Sequence, residues 1–427
     1  MVNYFLRRLL LMIPTFLGST ILVFTILQMA PGGPIEQMML ELQMGGVSAG
    51  EGGGGSSSSL TGGVSLPPKA LKELERFYGF DKPIYERYLS WLGVWPREIK
   101  HRDFAVLKNA ESVEKRVGKK DGKTWKVDVF LKESSPAVYE KDGQLSKIWF
   151  SRIDKINEDG TLDLVIFQKE FSGILTGNLG KSYTYLKPVT EVMKPRFKIS
   201  LFFGLTGIFL SYLVCIPLGI KKALNHGTAF DFGSSVIIFM AYSIPGWALG
   251  GVLLVLFGGG SFFDVFPLGG FRSPSEVWDT LTPLQKILDQ IHHMILPIIA
   301  WSISSFATLT VLMKNSLLEN LSQDYVRTAF AKGIRETRVI WYHAMRNSLI
   351  PIASGIGHII GFVIAGSYLI ERMFNIDGFG RMAYEAILAR DYPITLGFLV
   401  IVVIIRLLGN IISDLVLAMV DPRIRFK

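Results

Sequence analysis

The 427-residue chain has a single cysteine, Cys215. One thiol excludes an internal disulfide and any metal site built from several cysteines. Its place inside an apolar run marks it as an inert, buried side chain. Charge is also scarce: 19% of residues are charged against 49% hydrophobic. Soluble domains carry more charge, so the composition points to a polytopic membrane protein. The formal net charge of +9 would suit nucleic acid, but the basic residues sit beside apolar runs, where they orient spans in a bilayer. No H-E-x-x-H, nucleophile elbow or phosphate loop is present. Leu175–Ser182, LTGNLGKS, ends like a P-loop, yet Leu175 stands where the first glycine belongs. If ATP powers this protein, another chain hydrolyses it.

Long apolar runs are abundant. A helix needs about 20 apolar residues to cross a bilayer. Six stretches qualify: Leu9–Met29, Ile199–Ile220, Ser234–Phe257, Met294–Met313, Leu349–Ile370 and Ile394–Val420. Pro217, Pro245 and Pro297 lie within them and are tolerated where neighbouring helices satisfy the freed backbone groups. Arg7 and Arg8 open the first run, but it is longer than a signal core, and Pro31-Gly32-Gly33-Pro34 follows without an A-x-A pattern. It reads as an uncleaved first span. With six spans, the basic residues flanking the short connections share one side: Arg7 and Arg8, Lys221 and Lys222, Lys314 with Arg327 to Arg346, and Arg423 to Lys427. The opposite short loop, Gly258–His293, has only Arg272 and Lys286, and the long loop after the first span is translocated regardless of its charge. Both termini are therefore expected in the cytoplasm.

The expected fold is an all-α polytopic membrane protein with six transmembrane helices and a small β-rich extracytoplasmic insert. The expected division is 1–34 (N-terminus and first span), 35–95 (linker with the Gly/Ser-rich stretch Gly45–Gly63 and a short helix), 96–171 (insert) and 172–427 (core). In the insert, Asp121-Gly122, Asp142-Gly143 and Asp159-Gly160 are hairpin turn signals. They flank strand-like runs at Lys123–Leu131, Ser146–Ile156 and Thr161–Phe167. The insert reads either as a decoration or as a lid or docking surface over the translocation path.

Between the fourth and fifth spans lies a basic, amphipathic segment, Asp324–Pro351. Turning a chain between helices does not need this length. Ser322 or Asp324 can cap a helix there, and Asp324 suits its dipole. Tyr325, Thr328, Ala329 and Lys332 recur at helical spacing. Gly333 permits a left-handed turn or a close backbone approach. A second helix follows over about Arg335–Met345. Thr328, Ala329 and Ala331 are small enough for a partner to press close. The alternative is a helix lying on the membrane, anchored by Trp341 and Tyr342.

In the fifth span Gly355, Gly357, Gly361 and Gly366 recur, and Gly357 and Gly361 form a small-xxx-small face for helix packing or pore lining. His358, Arg406 and Asp414 are costly inside a membrane. Arg406 and Asp414 lie two turns apart, roughly on one face, where a bridging group between them would stabilise both. Structural hydrogen bonding and a proton relay both remain open for the three.

Several segments resemble ABC-importer permeases of the dipeptide/oligopeptide/nickel family, nearest to the microcin C-type oligopeptide branch. Arg327–Gly333, RTAFAKG, is similar to the cytoplasmic coupling motif, with Arg327-Thr328-Ala329 where that motif has EAA and Gly333 as its glycine. Arg7–Pro34, Gly177–Ser182 with Pro188-Val189, Glu371–Pro393 and Asp421–Arg425 also resemble the family. The resemblance implies the type I importer permease fold and a coupling helix over about 322–345. It implies ATPase coupling through Tyr325, Arg327, Thr328, Ala329, Ala331, Lys332 and Gly333. It also implies an extracytoplasmic gate or binding-protein contact at Glu371, Gly378, Gly380, Arg390 and Asp391. The implied partners are a second homologous permease in a heterodimer, ABC ATPase subunits, an extracytoplasmic substrate-binding protein, a peptide and membrane lipid. No cofactor is implied for this chain, ATP and Mg residing in the partner ATPase. The competing reading is a self-sufficient secondary transporter or channel for small polar solutes.

Overall fold

The computed structural model describes residues 2–37, 39, 68–107, 112–120, 123–132, 135–140, 144–157, 161–260, 262–355 and 367–420. The chain divides into two compact units, one formed by Met1–Val64 with Lys181–Lys427, the other by Ser65–Gly180.

In the smaller unit, helices α2 (Pro68–Tyr78) and α3 (Ile84–Leu92) precede six strands: β1 (Arg97–Leu107), β2 (Ser112–Lys120), β3 (Lys123–Lys132), β4 (Ser135–Glu140), β5 (Trp149–Ile156) and β6 (Thr161–Glu170). They form two antiparallel three-stranded sheets, ordered β1-β6-β5 and β2-β3-β4. Both sheets contribute to one core, with Val106, Val117, Val127, Val129, Trp149, Leu164 and Ile166 packed together. Burial favours the neutral form of Glu98, but hydrogen bonds from His101 and Lys82 and the charges of Arg152 and Lys82 outweigh it and hold the carboxyl low. The three strands expected from alternation are present. Three more were not expected: β1 alternates poorly because charges interrupt it, and β4 carries Pro136, which an edge strand accommodates. The Asp-Gly dipeptides and the Gly/Ser-rich stretch lie outside the described residues.

The larger unit is helical. Helix α1 (Val2–Met29) and α4 (Val189–Leu224) are long and apolar enough to span, as is the last helix, α13 (Tyr392–Val420). The third apolar stretch is not one rod. It folds as α5 (Ala229–Ser243) and α6 (Gly246–Phe257), which meet at 94°. Pro245 accounts for the break, because it lacks an N–H and drives Ile244 into extended backbone. Pro217 and Pro297, in contrast, lie inside continuous helices. Helix α7 (Pro283–Leu321) starts at a capping box between Thr282 and Gln285, with Pro283 in the first turn. It bends by 53° between Ile303 and Ser305. The fifth stretch is described only as a helix to 355, so most of it, including Gly357, His358, Gly361 and Gly366, lies outside the described residues.

Helices α4 and α7 run parallel and very close. Ser211 and Ser305 share a 2.9 Å hydrogen bond, and the Ser302 hydroxyl donates to the Gly207 carbonyl at 3.3 Å. A Cβ added at Gly219 would lie 2.7 Å from Met313 Cβ and 2.9 Å from the Thr310 carbonyl oxygen. Small residues permit this approach where lipid supplies no hydrophobic drive for helix association. Gly219→Val is therefore expected to destabilise the helix pair by about 1–3 kcal/mol. A lowered thermal midpoint of the detergent-purified protein checks this, and Ser305→Ala should cost less.

Candidate functional site

The polar segment after α7 forms a two-faced helix. Helix α8 (Asp324–Ala331) begins at Gln323, whose side chain makes no cap, and Asp324 supplies first-turn negative charge. Neither Ser322 nor Asp324 is the cap the sequence suggested. Thr328 Oγ1 donates to the Asp324 carbonyl at 2.8 Å, and Tyr325 Oη donates to Asn320 Oδ1 at 2.8 Å, tying α8 to the end of α7. The helix stops in a Schellman arrangement: Ile334 N–H donates to the Ala329 carbonyl (3.3 Å) and Gly333 N–H to that of Phe330 (2.9 Å). Gly333 has φ +73°, while an added Cβ there would meet nothing within 4 Å. The glycine serves the left-handed turn, not a close approach within this chain.

Beyond the corner the chain is helical again. Glu336–Arg338 (α9) leads into a π-helical turn, Val339–Ala344, and closes as α10 (Met345–Ser348). The inner faces of these pieces share an apolar core with the ends of α4 and α7. Ile220 and Ala223, Met313 and Leu317, Val326 and Ala329, and Val339, Ala344 and Met345 all belong to it. Ser316 Oγ donates to the Ser348 carbonyl at 2.9 Å and closes the seat. Ala329 thus points inward at 6% exposure. This corrects its expected place beside Thr328 and Ala331 on a surface for a partner: spaced three residues from Val326, it falls on the buried stripe. Tyr325, Arg327, Thr328, Phe330, Ala331, Lys332 and Gly333 are exposed. Trp341 and Tyr342 are exposed as well, at 53% and 74%.

The residues expected at an outer gate are mostly internal. Glu371, in helix α11 (Tyr368–Met373), is 1% exposed. It accepts from Ser200 Oγ at 2.8 Å and from Arg381 N–H at 2.6 Å. Its carboxylate therefore sits at the N-terminus of helix α12 (Phe379–Leu388), where backbone donors and the helix dipole favour an acceptor. Burial raises the Glu371 carboxyl above the usual range, with those hydrogen bonds opposing the rise. Gly378 leaves room for it: a Cβ there would come within 2.3 Å of Glu371 Cδ. Gly380 is buried too. Asp391, fully buried, accepts from Ser182 Oγ (2.5 Å) and Thr184 N–H (3.1 Å) at the start of α13. The hydroxyl of the P-loop-like segment is thus bonded to a carboxylate. Arg390 reaches the Pro31 carbonyl at 3.1 Å. Glu371, Gly378, Gly380 and Asp391 are buried within this chain, whereas Arg390 is half-buried.

Arg406 and Asp414 do not pair with each other directly. Asp414 pairs with Arg8 and accepts from Tyr4 Oη at 3.1 Å, which ties α1 to α13. Arg406 is exposed. The first helix supplies the nearer cation, a contact across the whole chain that spacing within one helix cannot reveal. Gly355 has no close neighbour for an added Cβ.

One cluster escaped the sequence reading. Lys222, counted there among loop cations, is 1% exposed, and it meets Asp231, which is 5% exposed. Its Nζ lies 3.1 Å from Asp231 Oδ1 and donates to Ser234 Oγ at 2.7 Å and Ser235 Oγ at 2.8 Å. Lys314 Nζ contacts both Asp231 oxygens at 2.7 Å. The lone acid in the apolar start of α5, a few residues after a Lys-Lys pair, was the available signal. Among the described residues, no three His, Cys, Asp or Glu side chains gather as a metal site.

Comparison with known proteins follows the same lines. Residues 215–426 match the family described as binding-protein-dependent transport system inner membrane component. The chain is 34% identical to the inner membrane ABC transporter permease protein YejB of Escherichia coli O157:H7, over 99% of both chains. It is 35% identical to the peptidoglycan transport system permease protein YejB of Agrobacterium fabrum, over 99% of this chain and 98% of that one. It is 28% identical to the dipeptide transport system permease protein DppB of Escherichia coli K12 over the full length of both.

The two faces of α8 predict opposite outcomes. Ala329→Phe overfills the seat and should lower the thermal midpoint of the purified protein, at a cost of about 1–3 kcal/mol. Ala331→Phe, on the exposed face, should leave it unchanged.

Proposed function

The chain belongs to the family of binding-protein-dependent transport system inner membrane components, and from that membership we infer that it is the permease subunit of an ATP-binding cassette importer that carries peptides across the inner membrane. It is a transport subunit and not an enzyme, since ATP hydrolysis belongs to separate ATPase subunits in this family. One observation carries the coupling role. A polar helix, glycine corner and second helix lie between apolar stretches, seated by an apolar inner face and leaving Tyr325, Arg327, Thr328, Phe330, Ala331 and Lys332 outward. A lipid-facing amphipathic helix would turn its apolar stripe to the bilayer. Here that stripe is consumed by α4 and α7, which favours a protein partner for the polar side.

On this reading six spans leave both termini in the cytoplasm, and this permease pairs with a second, homologous one. The outer face of α8 docks on an ATPase, and an extracytoplasmic binding protein delivers the peptide. The insert, Pro96–Phe171, then lies on the outer side and contacts that binding protein. Closure of the ATPases moves α8, and the seat passes the motion to α4 and α7. Arg406, exposed on a spanning helix, faces the second permease or the translocation path, because a guanidinium turned to lipid is costly.

Two measurements test this. Single cysteines at Thr328 and Ala331 should cross-link to the ATPase in native membranes, while one at Ala329 should not; the reverse pattern would exclude α8 as the docking element in this orientation. Excising Pro96–Phe171 should weaken affinity for the binding protein while the remainder still assembles with the ATPase, and unchanged affinity would remove the insert from the delivery step.

A further inference from the structure

We propose that Asp231 is a positioning residue for transport: with Lys222 and Lys314 it forms a buried clamp that fixes the seat of α8 from behind. The proposal rests on the coupling role of α8 inferred above.

Lys222 lies on α4 between Ile220 and Ala223, and Lys314 on α7 beside Met313. Ile220, Ala223 and Met313 are seat residues under α8. Neighbouring positions on a helix point to different faces. The apolar faces of the two helix ends therefore carry α8, and their cationic faces turn to a third element, the first turn of α5. Asp231 supplies the only carboxylate that pairs with either lysine among the described residues.

The bonding pattern fits a clamp better than a chance surface contact. Lys222 Nζ also donates to the Asp231 carbonyl at 2.8 Å, so it holds both the side chain and the backbone of that residue. Gly227 N–H donates to Asp231 Oδ2 at 3.2 Å, which fixes the carboxylate on the turn between α4 and α5. Lys314 then bridges both carboxylate oxygens from α7. Exposed ion pairs contribute little, but a buried carboxylate deprived of its partners is strongly disfavoured, which makes such a cluster geometrically exacting. Three helix ends are held at one point. A load applied through α8 then moves α4 and α7 as one body; without the clamp it separates their ends.

Lys314 is the residue to change. Lys314→Met cuts the tie to α7 while Lys222, the His226 ring and the Gly227 N–H still hold the Asp231 carboxylate, so folding is at less risk than in Asp231→Asn. The full complex, with its ATPase, second permease and binding protein, is reconstituted in proteoliposomes and supplied with a tryptic digest of casein as the peptide pool. Peptide accumulated in the lumen and ATP hydrolysed are measured together. The expected result is retained ATPase in the purified complex, continued hydrolysis, and peptide moved per ATP reduced about tenfold or more, with Lys314→Arg restoring the ratio. An unchanged ratio in Lys314→Met overturns the proposal. So does loss of the ATPase from the variant complex, because a positioning residue acts after docking. Failure of the unaltered chain to purify with any ATPase would instead overturn the coupling role itself.

Discussion

The close parallel approach of α4 and α7 is the contact on which the helical unit depends. It exists because Gly207 and Gly219 present no side chain at the crossing, and because Ser211, Ser302 and Ser305 satisfy their hydroxyls between the helices or on their carbonyls. In a bilayer, apolar side chains gain little by leaving lipid, so packing and such short hydrogen bonds decide which helices associate. Once the two helices lie together, their ends present a continuous apolar surface through Ile220, Ala223, Met313 and Leu317. The α8 segment can fold only against that surface. Eight residues are too few for a stable isolated helix, and its glycine corner would otherwise be one conformation among many.

Buried carboxylates organise the remaining helix ends. Glu371 serves the backbone donors that open α12, and Asp391 stands at the start of α13. Asp231 serves the lysines of two other helices. A carboxyl group in a low-dielectric interior is tolerated only with several good hydrogen-bond partners. Each acid therefore has its hydrogen-bonding capacity spent on the fold. The same physics sets Glu371 and Asp391 in the packed interior, although both fall in a segment that resembles a family signature.

Membrane character, the apolar stretches and the helix–glycine–helix segment were legible in the sequence, because each depends on local composition or spacing. The direction of Ala329 was half legible: its three-residue spacing from Val326 places it on an apolar stripe, but its small size suggested a contact surface. Long-range pairing was not legible. Asp414 has a plausible cation eight residues away in Arg406 and pairs with Arg8 instead. Lys222 reads as a topogenic loop charge until α5 folds back and brings Asp231 over it. Pro245 breaks its stretch while Pro217 and Pro297 lie inside continuing helices, a difference that the residue type alone does not give. The unexpected strands fail for a similar reason: β1 is ordered by pairing with β6 over a long sequence separation, not by its own alternation.

The two-faced build of α8 bears on how one short helix can be both firmly held and exchangeable with a partner. Its inner face is small and apolar, with Val326 and Ala329 fully engaged, so its position is fixed by shape at the seat. Its outer face carries charge and aromatic rings with few partners of their own: Arg327 pairs with Asp324 at 3.6 Å, an exposed contact of little energy. Affinity for a protein partner can therefore change through the outer residues without disturbing the seat. A stroke that enters on the outer face leaves through the inner one, and its loss is set by slack in the seat. Side chains with few rotamers, Val and Ala against the ends of two locked helices, minimise that slack. A long flexible residue at Ala329 would overfill the seat and also transmit less, because its own rotations would absorb the displacement before the helices moved.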